Sequence, residues 1–188
     1  LGTANMLAGA LGIPRGPVAL AALIERGSLR RIDLGLAGGS RFLGVVGVGF
    51  DAMVTEAVRR TRRGTLGYRG YALPILRTLR GYRAPRLRVR LDDRAPEPCG
   101  FVIVAKLPNY GGLFAVTPDA RPDSGRLDAC LFRDARFTGL VRIVWPAWRG
   151  RLAARRDCLV AAATRIRIEA EGPTPVSVQL DGDAWGAT

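Results

Sequence analysis

The residues best suited by type and spacing to do chemistry are Asp181 and Asp183, which flank a glycine directly after the apolar stretch 176–180. A carboxylate on a glycine turn at the end of a strand can face a cleft while the strand fixes its position, and it could then take part in acid–base chemistry. The alternative is an ordinary hairpin turn, because Asp-Gly is among the commonest sequences for that turn.

Two other segments place hydrogen-bonding groups beside glycine or a helix start. Thr3 and Asn5 precede apolar residues with helical spacing, so they could bind a phosphate or a substrate hydroxyl, or simply cap the helix. Asp51 follows a glycine-rich strand and could cap the next helix or face a substrate. Gly47 and Gly49 would allow the close approach of a ligand or of a neighbouring strand.

Composition excludes several kinds of site. The chain of 188 residues has no histidine, which removes Ser-His-Asp triads and histidine-bound metals, and its three scattered cysteines do not suggest a disulfide framework or a zinc site. The net charge of +13 indicates an anionic partner, or else an arginine-rich composition without functional meaning. No apolar run approaches the roughly 20 residues that span a bilayer.

The pattern of elements predicts a mainly β domain of the α+β kind. Helical spacing occurs in 1–12, and again in 51–82, where it falls into two pieces broken near Gly64; residues 17–24 form a second apolar stretch. Alternating or buried apolar segments predict strands, and a short helix is expected over 137–148. Such short strands joined by turns suggest a sandwich or a distorted barrel with helical insertions. The predicted strands are 31–36, 41–50, 86–91, 100–105, 127–132, 164–169 and 176–180.

Several motifs follow the order that they have in one enzyme superfamily. Gly2-Thr-Ala-Asn-Met-Leu-Ala8 resembles the Gly-Thr-x-Asn-Asp-x-Ala motif of the diacylglycerol kinase, sphingosine kinase and bacterial lipid kinase superfamily, with Met6 in place of the Asp. Further resemblances are Gly47-Val-Gly-Phe-Asp-Ala52, Leu66-Gly-Tyr68, Asn109-Tyr-Gly-Gly112, Asp123-Ser-Gly-Arg-Leu-Asp128 and Val178-Gln-Leu-Asp-Gly-Asp183.

The resemblance implies a fragment of an ATP-dependent lipid kinase that phosphorylates diacylglycerol or a related lipid. Residues 1–27 would be the tail of a missing nucleotide-binding α/β domain, including its terminal helix. Residues 28–188 would form a β-sandwich-like second domain with a two-helix insertion at about 51–82. The fragment alone should be inactive, since ATP and Mg²⁺ would bind mainly through the missing domain.

The resemblance also implies roles for individual residues. Asp181 would be the general base, and Asp183 would assist the nucleotide or magnesium. Thr3, Asn5, Gly49 and Asp51 would contact substrate or nucleotide, as would Asp183.

One loop of the sequence departs from the family pattern. In the family the loop at 123–128 can hold a structural magnesium, for which Asp123 or Asp128 could supply a ligand here. Because Ser124 replaces an Asp of the family pattern, we expect no tightly held metal in this loop. Elsewhere in the chain, Lys106 stands where an Asn is usual.

Two other functions remain open, a soluble nucleotide kinase like the NAD kinases and a basic β domain that binds nucleic acid. The lipid-kinase interpretation predicts a lipid substrate at a membrane surface, ATP, and no nucleic acid, and it leaves a homodimer open. It places the protein in the cytoplasm, in peripheral contact with the inner membrane.

Overall fold

A computed structural model describes residues 5–27, 29–61, 82–111, 114–134 and 151–187, with a few isolated positions between 139 and 149. The chain begins with two helices, α1 (Met6–Ala10) and α2 (Pro17–Glu25). Pro17 opens α2 because its missing N–H costs nothing in the first turn. Of the helix predicted over 1–12, residues 1–4 lie outside the described residues, and in the rest α1 covers only Met6–Ala10.

A small hairpin follows, made of β1 (Gly35–Ala37) and β2 (Ser40–Phe42). Gly38-Gly39 joins its strands, and both glycines have positive φ. The apolar segment 41–50 was predicted as one strand, and that prediction is wrong. The segment is divided into β2 and β3 (Val45–Val48), and Phe50 already belongs to the next helix.

Helix α3 (Phe50–Thr61) is the first of the two predicted insertion helices. The second falls within 62–81 and lies outside the described residues. The chain resumes with β4 (Arg86–Leu91), β5 (Glu97–Cys99) and β6 (Phe101–Ala105). In β4 the three arginines are exposed and the three apolar residues are buried, as the alternation predicts.

The remaining elements are almost all strands. No strand was predicted at Asn109–Tyr110, Phe114–Ala115, Cys158–Ala163 or Asp183–Ala187, and β5 was not predicted either. Most of the predicted helix over 137–148 lies outside the described residues. The elements are β7 (Asn109–Tyr110), β8 (Phe114–Ala115), β9 (Leu127–Phe132), a 3-10 turn (Leu152–Ala154), β10 (Cys158–Ala163), β11 (Ile166–Glu171), β12 (Ser177–Leu180) and β13 (Asp183–Ala187).

Two antiparallel sheets form the sandwich. A six-stranded sheet has the order β10-β9-β6-β3-β12-β13, and a three-stranded sheet has the order β11-β4-β5. Their facing side chains form one core, with Val89, Val102 and Leu131 fully buried. A second core, which includes Phe101 and Leu152, covers the other face of the large sheet. The predicted fold class is confirmed.

The two N-terminal helices lie largely outside these cores. No residue of α1 or α2 is fully buried, and Val18 and Ile24 of α2 are 83% and 71% exposed. The boundary near residue 27, and the assignment of this part to another domain, stay predictions. No helix among the described residues is long and apolar enough to cross a membrane.

Candidate functional site

Asp181 is held by three backbone N–H groups from a distant part of the chain. Its Oδ2 accepts a hydrogen bond from Leu43 N at 2.7 Å, and its Oδ1 accepts bonds from Gly44 N at 2.7 Å and Val45 N at 2.8 Å. The Asp181 N–H in turn donates to the Val45 carbonyl at 2.8 Å. We call the three donors of residues 43–45 the N–H cradle; it fixes the orientation of this carboxylate.

The N–H cradle explains why the segment 41–50 is not one strand. Leu43 and Gly44 lie between β2 and β3, where their N–H groups point to a carboxylate instead of a neighbouring strand. A β-carbon at Gly44 would fit only tightly, because it would lie 3.2 Å from Asp181 Oδ1 and 3.3 Å from a methyl of Leu107 and would push these neighbours by a few tenths of an ångström. The break between β2 and β3 therefore provides two of the N–H groups that bind Asp181.

The turn that carries Asp181 is a tight hairpin between β12 and β13. Leu180 pairs with Asp183, which leaves Asp181 and Gly182 as a two-residue loop with φ of 51° and 92°. Positive φ at both positions is the pattern of the hairpin turn that Asp-Gly favours. The sequence left open whether Asp181 has a fixed orientation or only forms a hairpin turn. In the structure it forms the turn and its carboxylate also has a fixed orientation.

Asp183 is exposed, and its carboxylate has no hydrogen bond within the described residues. It begins β13, two residues after Asp181, at the rim of the large sheet. Trp185, 41% exposed, follows on the same strand and donates its indole N–H to Ser40 Oγ at 3.0 Å. The site thus pairs one fixed carboxylate with one that is open to solvent.

A buried network of polar side chains is hydrogen-bonded to the 181–182 turn. The Asp51 carboxylate accepts hydrogen bonds from the Tyr110 hydroxyl and from Gln179 Nε2, the latter at 2.7 Å. Gln179 Oε1 accepts the N–H of Gly182 at 2.7 Å. Burial raises the pKa of Asp51, and the two hydrogen bonds oppose that rise in part. Asp51 is therefore linked to the 181–182 turn through one fully buried amide.

Asp51 and Gly49 do not face solvent as ligand-contacting residues would. Asp51 is only 6% exposed and lies in the first turn of α3, where its side chain bonds Tyr110 and Gln179. Gly49 is buried with φ of 97°, and a β-carbon there would lie 3.0 Å from Phe101. At Gly47 a β-carbon would overlap the Asp51 carboxylate. These glycines accommodate neighbouring protein groups.

Of the N-terminal pair, Thr3 lies outside the described residues. Asn5 is exposed, stands at the N-cap of α1 with φ of 42°, and makes no side-chain bond to the helix. A helix of five residues offers little as an anion site. The side chain of Met6 lies near Gly44, because a β-carbon at Gly44 would be 3.9 Å from Met6 Cε.

The loop that could hold magnesium does not fit that ion. The carboxylate of Asp123 accepts a hydrogen bond from Arg30 at 2.7 Å and lies 3.4 Å from Arg121 Nε. The bond from Arg30 is the main reason that the pKa of Asp123 is lowered. No group of three or more acidic, cysteine or histidine side chains among the described residues is suited to a metal. Asp123 is an arginine-paired carboxylate here.

Sequence reasoning missed the roles of Gln179, Tyr110 and Lys106. Gln179 and Lys106 are 0% and 2% exposed, and each uses its polar end on distant partners. A polar residue inside an apolar strand was the one available signal for Gln179, because burying an amide requires hydrogen-bond partners.

The chain has clear relatives among known proteins. Residues 44–188 match the model of the family described as the YegS C-terminal NAD kinase beta sandwich-like domain. Diacylglycerol kinase of Bacillus subtilis is 26% identical over 188 residues, covering 99% of this chain and 61% of that protein. A probable lipid kinase YegS-like of Pseudomonas aeruginosa UCBPP-PA14 is 34% identical over 187 residues, covering 97% of this chain and 59% of that protein.

Solved structures agree on the fold. A crystal structure from Bacillus anthracis str. Sterne matches with a TM-score of 0.75 and 23% identity, covering 100% of this chain and 61% of that one. A second, described as a diacylglycerol kinase of the same strain, matches with a TM-score of 0.67 and 18% identity over 97% and 57%. The chain thus spans less than two thirds of the length of each of these relatives.

Proposed function

Because the chain belongs to the family of YegS C-terminal NAD kinase beta sandwich-like domains, we propose that it is the second domain of an ATP-dependent lipid kinase. Relatives named diacylglycerol kinase and probable lipid kinase support a lipid acceptor. The remaining length of those relatives leaves room for a nucleotide-binding domain, to which residues 1–27 would belong. The exposed apolar side chains of α2 would then pack against that domain.

The observation that carries the proposal is the Asp181 carboxylate in its N–H cradle. Oδ1 accepts two N–H bonds and Oδ2 accepts one, so Oδ2 keeps a lone pair for another donor. A substrate hydroxyl at Oδ2 would meet an acceptor of fixed direction, which is what removal of its proton requires. Asp181 is accordingly the proposed general base.

Asp183 would act beside it. An exposed carboxylate without a protein partner among the described residues is suited to meet a hydrated magnesium or a nucleotide supplied by the other domain. ATP would supply the phosphoryl group, and magnesium would offset its charge. Asp51 would contribute indirectly, by holding Gln179 and through it the turn. Asn5 would approach the substrate from α1, while Gly49 would only shape the interior.

The full-length protein tests this proposal by transfer of radiolabelled phosphate from ATP to lipid. We expect diacylglycerol-type lipids in mixed micelles to be labelled and NAD not to be labelled; the reverse result would favour the soluble nucleotide kinase. Asp181→Asn should lower kcat by about 100-fold or more, the usual contribution of a general base. Asp183→Asn should mainly raise the KM for magnesium-ATP. An Asp181→Asn enzyme with near-normal kcat overturns the assignment of the base.

Peripheral contact with an anionic membrane belongs to the same proposal. The chain carries a net charge of +13, and Arg86, Arg88 and Arg90 line the outer face of the small sheet. Anionic surfaces attract such clusters in a salt-dependent way. Sedimentation with vesicles containing phosphatidylglycerol, lost at high salt and absent with neutral vesicles, is the expected result. Preferential retention of an oligonucleotide would instead favour a nucleic-acid partner.

A further inference from the structure

Lys106 has an unusual position for a lysine. Among the 29 basic residues of the chain it is the only lysine, and all the others are arginines. It is also buried, with 2% of its surface exposed, although lysine is almost never fully buried without a partner. In a chain that otherwise uses only arginine as its basic residue, the single buried lysine is explained by its local environment.

Three oxygens surround the ammonium group of Lys106. It donates to Asp33 Oδ2 at 2.8 Å, to the Arg126 carbonyl at 2.7 Å and, at a longer 3.4 Å, to Ser124 Oγ. An ammonium has three donors and no acceptor, so these contacts use its full capacity. A carboxylate, a carbonyl and a hydroxyl are also the oxygen types that hard metal ions prefer.

The loop folds around this charge. The N–H of Gly125 donates to Asp33 Oδ2 at 2.7 Å, and Asp33 N donates to the Pro122 carbonyl at 2.7 Å. The Lys106 ammonium and the Gly125 N–H lower the pKa of Asp33, so the carboxylate that receives both bonds is ionised. The segment before β1, the loop 121–126 and the end of β6 therefore meet at one positive charge.

We propose that Lys106 is a built-in cation that organises the loop 121–126 in place of a metal ion. A guanidinium would not serve, because its planar fork is larger than the compact ammonium that this buried position encloses. The same residue connects the loop to the site, since its backbone N–H donates to the Gly44 carbonyl at 2.9 Å beside the N–H cradle. This inference concerns the chain's own stability and does not depend on the proposed function.

Thermal unfolding tests whether the loop is free of metal. The Tm of the full-length protein without nucleotide is measured in EDTA and again in 10 mM Mg²⁺. The wild-type Tm should differ by less than about 1 °C between the two, because no site for the ion is left to link to folding. Lys106→Asn with Ser124→Asp replaces the ammonium by oxygen ligands. Its Tm should rise by about 3 °C or more with 10 mM Mg²⁺ if the new site binds with a Kd of about 1 mM. A wild-type Tm that falls in EDTA and recovers with Mg²⁺ overturns the proposal.

Lys106→Met keeps most of the buried stem and removes the charge. We expect its Tm to fall by about 3 °C or more, because Asp33 and the Arg126 carbonyl lose their charged donor. The exposed Arg94→Met is the matched control and should leave Tm unchanged within about 1 °C. A Lys106→Met protein as stable as the control overturns the proposal.

If Lys106→Met does not fold, amine labelling of the wild type decides. Acetylation by an N-hydroxysuccinimide ester, followed by mass spectrometry of the peptide with Lys106, should be at least about tenfold slower in the native protein than after denaturation, because the ammonium is buried and fully bonded. Equal rates in both states overturn the proposal.

Discussion

Replacement of Asp181 tests the N–H cradle directly, and its effect on stability can be worked out from the three hydrogen bonds. Asp181→Gly removes both acceptor oxygens, and with them all three hydrogen bonds, but glycine tolerates the φ of 51°. A hydrogen bond to a charged group contributes about 1.5–3 kcal/mol when buried, and roughly 1 kcal/mol each is reasonable for this partly exposed carboxylate. The expected loss in the free energy of unfolding is therefore about 2–4 kcal/mol for Asp181→Gly.

Two further variants separate the causes. Asp181→Ala loses the same bonds and adds the strain of a left-handed backbone, so it should be about 1 kcal/mol less stable than Asp181→Gly. Asp181→Asn can keep its carbonyl oxygen on Gly44 and Val45, but its NH₂ then faces the N–H of Leu43. One bond is replaced by two opposed donors, and we expect a loss of about 1–2 kcal/mol.

Urea-induced unfolding of the wild type and the three Asp181 variants, followed by tryptophan fluorescence, measures these differences. Asp183→Asn is the matched control, because its exposed side chain has no hydrogen bond within the described residues and should change stability by less than about 0.5 kcal/mol. The reasoning is refuted if Asp181→Gly is as stable as the control. A confirmed loss also means that activity of Asp181→Asn has to be measured at a temperature where that variant is folded.

Other predictions concern the buried network and the thiols. Burial raises the pKa of Asp51, so its protonated form stabilises the fold most below the ordinary pKa of 3.8, and this stability is lost as the pH rises through the raised value. Asp51→Asn should therefore gain stability relative to the wild type as the pH rises from 3.8 through the raised pKa of Asp51, and equal pH profiles in urea titrations would contradict this. Gln179→Leu removes one of the two hydrogen bonds to the Asp51 carboxylate and leaves the Gly182 N–H without its side-chain acceptor, so it should lose about 2–3 kcal/mol. Gln179→Glu, which places a second carboxylate against Asp51, should be worst at pH 7 and recover in acid. Burial raises the pKa of Cys99 to about 12, so a thiol reagent at pH 8 should label this residue only as fast as the protein unfolds; rapid labelling of the folded protein would show an accessible thiol.

Local patterns predicted the strands that alternate or are uniformly apolar. Strand β4 is the clearest case, because its arginines face outward and its leucines and valine face the core. Strand β5 was missed since it is short and contains Pro98, and β13 was missed because it is short, contains Gly186 and has no clear alternation of polar and apolar residues. Alternation over a few residues thus identifies a half-buried strand well and a short edge strand poorly.

The break in the segment 41–50 could not be predicted from the segment itself. Its apolar residues and glycines satisfy the pattern of a buried strand, and the group that interrupts it lies 136–138 positions away. The same holds for Asp51, whose partner Gln179 is 128 positions distant. Sequence reasoning identified Asp181 and Asp51 as polar residues worth attention, but only tertiary contacts distinguish a carboxylate that faces outward from one that holds the interior together.

The hairpin turn and the N–H cradle are two consequences of one backbone conformation. A two-residue loop requires positive φ at its first position, and Asp tolerates that conformation better than most residues. The same turn brings the Asp181 carboxylate to residues 43–45, whose N–H groups are free because β2 ends at Phe42. Asp-Gly is therefore needed here for geometry even before any substrate binds. It follows that loss of activity in an Asp181 variant is evidence for a general base only when Asp181→Gly, Asp181→Asn and Asp183→Asn are compared at equal folded fractions, since the turn alone already explains why aspartate occupies the position.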